Sequence, residues 1–578
     1  MIPTSKNDPA WHIFAATLVT TPALQGESQK QYFVESVQFT QRWDDIDGER
    51  VQFVEVVVVN TPTHGDAAQP ITVEVHSRTA KTLKPARVTR LPKGNFIRVD
   101  VPVTGGNGDK ERATVTIRDA NSGHWLTISP GWLVQPGLTD YDSSDASLSR
   151  VQAPNWWRDA KLGIMFHYGP YSVPAYGADF YAEWYMHDMS TNNYTKAHHL
   201  KTYGEQFNYD DFFEKFTAAK FDASQWVALM EASGARYSVG TTKHHDGFAL
   251  FDTKDTSNRN SLTYGPKRDL MKELMLAAQN STVRFGTYFS PVEWFNPIQN
   301  PYGFELFAGG PYRNAYTGEA VPYTGFIEKD DFIDDIQSPQ QQILMEDYRT
   351  NIMWCDIGGP SRGCQNAAKW YNEARKRGQN VVMNNRCGCL WNGFGTPEYA
   401  TYSGTVQNLW ETNEGLAPFS FGFNAQDAPS AYKTPQQLVK MLVDVVSKNG
   451  NYLINFGPEA SGVIPKAQQD SLLGMGKWLK TNGEAIYGTR YWNLTPQEGD
   501  WRFTTKDGLF YMISLSKPST SYTFTSPIPV RNGDVITLLG AKGIVKYTIN
   551  EKGLLTINPT ATQIGQGNLA WAFRIEQK

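Results

Sequence analysis

Short apolar runs in the middle of the chain end in residues able to do chemistry. His167-Tyr-Gly follows Leu162–Phe166, Lys243-His244-His245-Asp246-Gly247 follows Tyr237–Thr242, and Tyr288 closes a run from Arg284. Ile352 opens a run through Trp354-Cys355-Asp356, and Val381 one ending in Asn384-Asn385-Arg386. Glutamates stand in three aromatic settings, Glu183-Trp184-Tyr185, Thr396-Pro-Glu398-Tyr399 and Trp410-Glu411-Thr412. Imidazole and guanidinium donors suit a polyhydroxylated ligand, Trp and Tyr stack on the apolar faces of sugars, and two carboxylates in unlike surroundings can divide acid and base work. A metal set of His244 and His245 with Asp246 or His167 is disfavoured, because neighbours on a straight strand point to opposite faces and no HExxH motif occurs. The bland alternative for the histidines is a satisfied place in the core. No GxSxG elbow, P-loop, strand-linked GxGxxG or kinase set is present. Paired carboxylates in a histidine- and aromatic-rich mouth point to glycoside hydrolysis.

Such residues meet only if strand ends converge. The runs above, with Tyr452–Phe456, alternate with helical stretches. Asp222-Ala-Ser-Gln225 resembles a capping box before Trp226, Leu229 and Met230, and Gly234 closes that helix. Gln436–Lys448 sets Leu438, Met441, Leu442, Val445 and Val446 on one stripe. Strand–helix alternation over residues 150–490 predicts a parallel sheet, best matched at this length by a (β/α)8, TIM-like barrel with its site at the C-terminal strand ends. Residues 1–145 alternate apolar and polar positions, as in Val51–Val59 and Ala113–Arg118, and predict a β-rich, sandwich-like domain. Tyr141–Ser149 reads as a linker, and residues 491–578 as a second β-sandwich domain. The fold class is multidomain, α/β plus β.

The 578 residues carry 54 basic and 58 acidic side chains, a formal charge of −4. Neither a basic stripe for nucleic acid nor a basic amphipathic helix for a membrane surface is visible, and Val56–Val59 is far shorter than the ~20 residues of a membrane span. Met1–Pro9 lacks the pattern of a signal peptide. Sequons at Asn193, Asn280 and Asn493 are compatible with secretion of a glycoprotein. Four cysteines, at 355, 364, 387 and 389, predict free thiols or one or two local disulfides rather than a disulfide framework.

Trp157–Ala175 and Ala182-Glu183-Trp184-Tyr185 resemble the first strand and following loop of the α-L-fucosidases of glycoside hydrolase family 29. The resemblance continues, in order, through Thr242–Phe248, Met353-Trp-Cys-Asp356, Thr396-Pro-Glu398-Tyr399, Asn451–Pro458 and Asn482–Thr489. It covers residues 156–490 and not the first 145. It implies a retaining, cofactor-free exo-hydrolase that takes terminal fucose from oligosaccharides or glycoconjugates, with Asp356 as nucleophile. It places the acid/base at Glu398, with Glu183 and Glu411 as alternatives, and substrate contacts at His167, Glu183, Trp184, His244, His245, Tyr288, Trp354 and Arg386. Tyr168, Cys355 and Asn385-Arg386-Cys387 depart from the usual family residues. Metal ligands, nucleic acid and membrane have no place in this reading, and the expected location is extracellular. The segment before Glu398, with Gly393, Gly395 and Pro397, is expected to close over that glutamate and bury it.

Overall fold

A computed structural model describes residues 31–61, 69–178, 181–299 and 309–578. The segment read for a signal peptide lies outside these residues.

A curled, seven-stranded parallel sheet forms the centre. In chain order its strands are Leu162–Phe166, Tyr237–Lys243, Thr287–Phe289, Ile352–Cys355, Val382–Met383, Trp410–Gly415 and Gly450–Phe456. Across the sheet they run fifth, fourth, third, second, first, seventh, sixth. Residues Phe394–Glu398 make isolated parallel bridges to both edges, Asn384 to Phe394, Gly395 to Trp410 and Glu398 to Asn413. Polar Trp410–Gly415 carries no apolar alternation and was not expected as a strand; all six of its residues are buried. Its carboxylates are satisfied inside the sheet, Glu414 by Tyr452 Oη at 2.5 Å and Glu411 by Trp354 Nε1 at 3.0 Å.

The helices pack outside. Ala223–Ala232 is capped by Asp222, whose carboxylate accepts from Gln225 N at 3.0 Å. The Gln225 amide bonds the Asp222 carboxylate rather than its backbone, so the capping box is only half formed. Gly234 ends the helix at φ +91°, where a Cβ would lie 2.7 Å from both Leu479 and Tyr487. Pro435–Ser447 has a complete capping box from Thr434 and Gln437. It buries Leu438, Leu442, Val445 and Val446, while Met441 is only partly covered.

Residues 32–134 form a nine-stranded antiparallel sheet whose inner face carries Val54, Val56 and Val58 with Val99, Val101 and Val103. Thr127 Oγ1 donates to Tyr32 O at 2.8 Å, drawing the two ends of the sheet together. From Arg490 onward, a six-stranded and a three-stranded antiparallel sheet share an aromatic core around Trp501, Phe503, Phe524 and Phe573. Arg90 of the first sheet grips Asp534 with two bonds of 2.6 and 2.8 Å, and Asn493 Nδ2 donates to Phe96 O at 2.9 Å. The Tyr141–Ser149 segment is not a plain linker. It holds a one-turn helix, Asp145–Leu148, with Leu148 fully buried.

Candidate active site

The fourth strand delivers Asp356. Its Oδ2 accepts from Tyr288 Oη at 2.7 Å and faces His245 Nε2 at 3.4 Å, and its Oδ1 meets Arg386 NH1 at 2.9 Å. The turn that follows is unusual, because Ile357, Gly358 and Gly359 all have positive φ. A β-branched residue there is a genuine outlier, and it aims Ile357 N at Asp356 Oδ1, 2.8 Å away. Burial pushes the Asp356 carboxyl upward. The hydrogen bond and charge of His245 and the charge of Arg386 outweigh it and hold the group well below the usual carboxylate range.

Arg386 NH1 also holds Glu398 Oε1, at 2.5 Å, so one nitrogen binds both carboxylates. Its NH2 bonds Thr396 O, and its guanidinium lies over Trp354, 5.1 Å from the ring centre. Tyr399, directly after Glu398, also has positive φ. The expected burial of Glu398 does not occur. Its side chain is 31% exposed, because the segment before it is tied down as a bridge between strands rather than folded over the carboxylate.

The other two glutamates lie elsewhere. Glu411 is fully buried below Asp356, bonded by Tyr237 Oη and Trp354 Nε1, and burial raises its carboxyl to about 7. Glu183 is also buried, and burial lifts it to about 7 against donors at Gly422 N (2.8 Å), Ser420 Oγ (3.1 Å) and Phe421 N (3.3 Å). Its carboxylate therefore holds the 420–422 segment, which sets Phe421 5.1 Å from the His167 ring.

The histidines line the same mouth. His167 Nδ1 pairs with Asn455 Oδ1 at 2.8 Å, and burial depresses it to about 4. His245 Nδ1 pairs with Ser290 Oγ at 2.6 Å. His244 stacks on Tyr288, is driven well below its ordinary value by burial, and leaves Nδ1 without a partner among the described residues. The straight-strand argument separating His244 from His245 fails here. Both lie past Lys243, where the strand ends, and their rings are 4.1 Å apart. Asp246 turns away to accept from Tyr209 Oη at 2.6 Å. Among the described residues no three His, Cys, Asp or Glu side chains form a metal site. Trp354 lies beneath the pocket, stacked on Tyr288, and Trp184 stands beside His245.

Sequence reasoning missed Trp294, whose ring is 5.3 Å from His245 and 5.4 Å from Trp184, and it missed Asn455, Ser290 and Phe421. Asn455 lay within the Asn451–Pro458 motif and was the one with a readable signal. The cysteines form two disulfides, Cys355–Cys387 and Cys364–Cys389. The first joins the residue before Asp356 to the residue after Arg386.

The sequence matches the family described as Alpha-L-fucosidase over residues 135–484. The plasma alpha-L-fucosidase of Homo sapiens is 33% identical over 456 residues, 76% of this chain and 92% of that protein. The alpha-L-fucosidase of Dictyostelium discoideum is 31% identical, covering 68% and 84%. Among solved structures, the Thermotoga maritima alpha-fucosidase in complex with fucose superposes with a TM-score of 0.62 at 31% identity, covering 75% of this chain and all of that one. The ordered motifs, the parallel sheet that gathers them and these likenesses agree: the chain belongs to the α-L-fucosidases of glycoside hydrolase family 29 and is a glycoside hydrolase.

Proposed function

We propose that the chain is a retaining exo-α-L-fucosidase with Asp356 as nucleophile and Glu398 as acid/base. The observation that carries this reading is the single Arg386 nitrogen held by both carboxylates. Two hydrogen bonds through one atom hold one oxygen of each carboxylate close together, which favours the ~5–5.5 Å spacing of retaining enzymes over the ~6.5–9.5 Å that inversion needs. Asp356, held anionic by its partners, attacks the anomeric carbon. Glu398 gives its proton to the departing glycosidic oxygen, leaving a fucosyl ester on Asp356. Glu398 then takes a proton from water, whose oxygen displaces Asp356 and releases fucose. Glu398 is the one candidate glutamate whose carboxylate is partly exposed, which favours it over Glu183 and Glu411. The fucose hydroxyls would lie against His167, His244, His245, Tyr288 and Arg386, with Trp184 and Trp294 as an aromatic wall. Family membership makes fucosylated glycans the substrate class.

The same reading takes the curled sheet as a (β/α)8-type barrel, with Phe394–Glu398 in the place of the missing strand. It divides the chain near residues 145 and 490, as the N-terminal core and the C-terminal aromatic core suggest, while Tyr511, Ile513 and Ala572 pack into the central core. An extracellular location fits the two cystines, which persist in oxidising compartments, and the plasma enzyme among the relatives. No described helix is long and apolar enough to cross a membrane.

Proton NMR of the first-formed product tests the stereochemistry. α-L-Fucose is expected, and β-L-fucose would remove the nucleophile role from Asp356. Glu398→Ala should lose roughly 10²–10⁴-fold on natural linkages, far less on aryl fucosides, and be rescued by azide. The same signature in Glu183→Ala or Glu411→Ala, and not in Glu398→Ala, would move the role.

A further inference from the structure

A cleft of about 1310 Å³ opens away from the catalytic pocket, where the N-terminal sheet, the central sheet and the C-terminal sheet meet. It exceeds the roughly 300–1,000 Å³ of ordinary small-molecule sites, so its size suits a chain-like ligand. The helix expected between the fifth and sixth parallel strands is missing, and the 386–409 connection forms one wall instead.

The lining has a distinct chemistry. Arginine and lysine outnumber acidic residues along its walls by seven to three, in a chain of net charge −4. Arg90, Arg98 and Arg490 are ion-paired with Asp534, Glu55 and Asp159, so the charge left over rests on Arg87, Lys506 and the weakly held Arg158. Arg42 takes both oxygens of Asp100, at 2.5 and 2.7 Å. That leaves Arg158 with two contacts of 3.4 Å, to Asp100 and Asn155. Burial and then the charges of Arg42 and Arg490 bring Arg158 down to about 10, the direction expected of a cation packed against its own kind. Arg87 on the N-terminal sheet and Lys506 on the C-terminal sheet are exposed, and their side chains form no ion pair or hydrogen bond among the described residues. Beside these cations lie Asn95, Asn392, Gln407 and Asn408, whose amides both donate and accept, and Trp391 and Tyr402. Planar amides and aromatic rings among guanidinium groups suit sugar hydroxyls, sugar faces and sugar-borne anions together.

We propose that this cleft is a second carbohydrate site that binds an anionic polysaccharide, its carboxylate or sulfate groups meeting Arg87, Arg158 and Lys506. The site is independent of the catalytic reading, and the 385–398 segment runs between the two. Asn385 and Gly395 line the cleft, one residue from Arg386 and three from Glu398, and Asn385 Oδ1 accepts from Thr396 Oγ1 at 2.8 Å. A polymer seated here would keep the enzyme on its surface, raising the local concentration of its branches.

The test uses the full chain and affinity electrophoresis through gels containing polygalacturonate, a sulfated galactan or neutral xyloglucan, at low and physiological salt. Retardation by at least one acidic polymer, weakened by salt and at least tenfold weaker in Arg87→Glu/Lys506→Glu, supports the site, and the two acidic gels separate carboxylate from sulfate. Aryl-fucoside hydrolysis should be unchanged in the variant, which separates failure here from failure of the catalytic assignment. Arg87→Gln/Lys506→Gln, a milder change at exposed positions, should weaken binding in the same direction. Three results would overturn the proposal: no retardation by either acidic polymer, retardation the variants leave untouched, or equal retention by single-stranded DNA, which would mark a nonspecific polyanion surface.

Discussion

Burial divides the glutamates that surround Asp356. Glu398 reaches solvent, while Glu411 is sealed between Tyr237 and Trp354 with its carboxyl raised to about 7. A raised folded-state value favours the protonated form, so Glu411 contributes its stability in full below the ordinary value of 4.5 and loses it as pH rises through about 7. Glu183 has the same sign and the same range. Thermal unfolding at pH 5 and pH 8 should therefore show the wild type losing more of its melting temperature than Glu411→Gln, which keeps the shape and removes the titration. Equal losses would mean that Glu411 does not titrate in this range. At this scale the sequence was informative wherever a polar residue followed an apolar run, as with His167, Asp356 and Arg386. It was silent on Trp294 and Phe421, which lie on connections whose path depends on distant contacts such as Glu183 with Gly422.

Strands explain why some of the site was legible and some was not. Leu162–Phe166 is all apolar and stands where its pattern put it. Trp410–Gly415 hides its polar side chains by pairing them with Tyr237, Trp354 and Tyr452, partners that no local pattern announces. The fourth and fifth strands are too short to aim their ends unaided, at four and two residues. Cys355–Cys387 supplies the missing constraint by tying the residues that flank Asp356 and Arg386. Cys355→Ser/Cys387→Ser should lose roughly 2–5 kcal/mol in denaturant unfolding, and its kcat/KM should fall with it. Cys364→Ser/Cys389→Ser, which ties the start of helix Gly363–Lys376 to the same connection, should lose stability with a smaller effect on rate. Equal kinetic loss in both would show that the first bridge acts only through stability.

The N-terminal and C-terminal sheets are bolted together by buried charge. Arg90 and Asp534 are 4% and 1% exposed in their side chains, and Arg90 also donates to Lys578 O at 2.8 Å. Arg90→Ala would strand the Asp534 carboxylate, and about 3–5 kcal/mol should be lost, read as a lower denaturant midpoint. An unchanged midpoint would mean that the sheets dock without this pair. The order of the β-rich and α/β regions was legible because residue periodicity changes along the chain. Their docking was not, since Arg90 and Asp534 lie far apart in sequence and nothing local pairs them. The clasp between Asn493 and Phe96 carries a further consequence for how the chain is processed. Asn493 begins a sequon, yet its amide nitrogen is spent on the Phe96 carbonyl. Asn193 and Asn280 are exposed and open to an oligosaccharyltransferase. Glycopeptide mapping of the protein expressed through a eukaryotic secretory route should find sugar at 193 and 280 and a bare 493. The N-terminal sheet leaves the ribosome first, so any sugar found at 493 would time the assembly, marking molecules in which the transferase arrived before the sheets had closed.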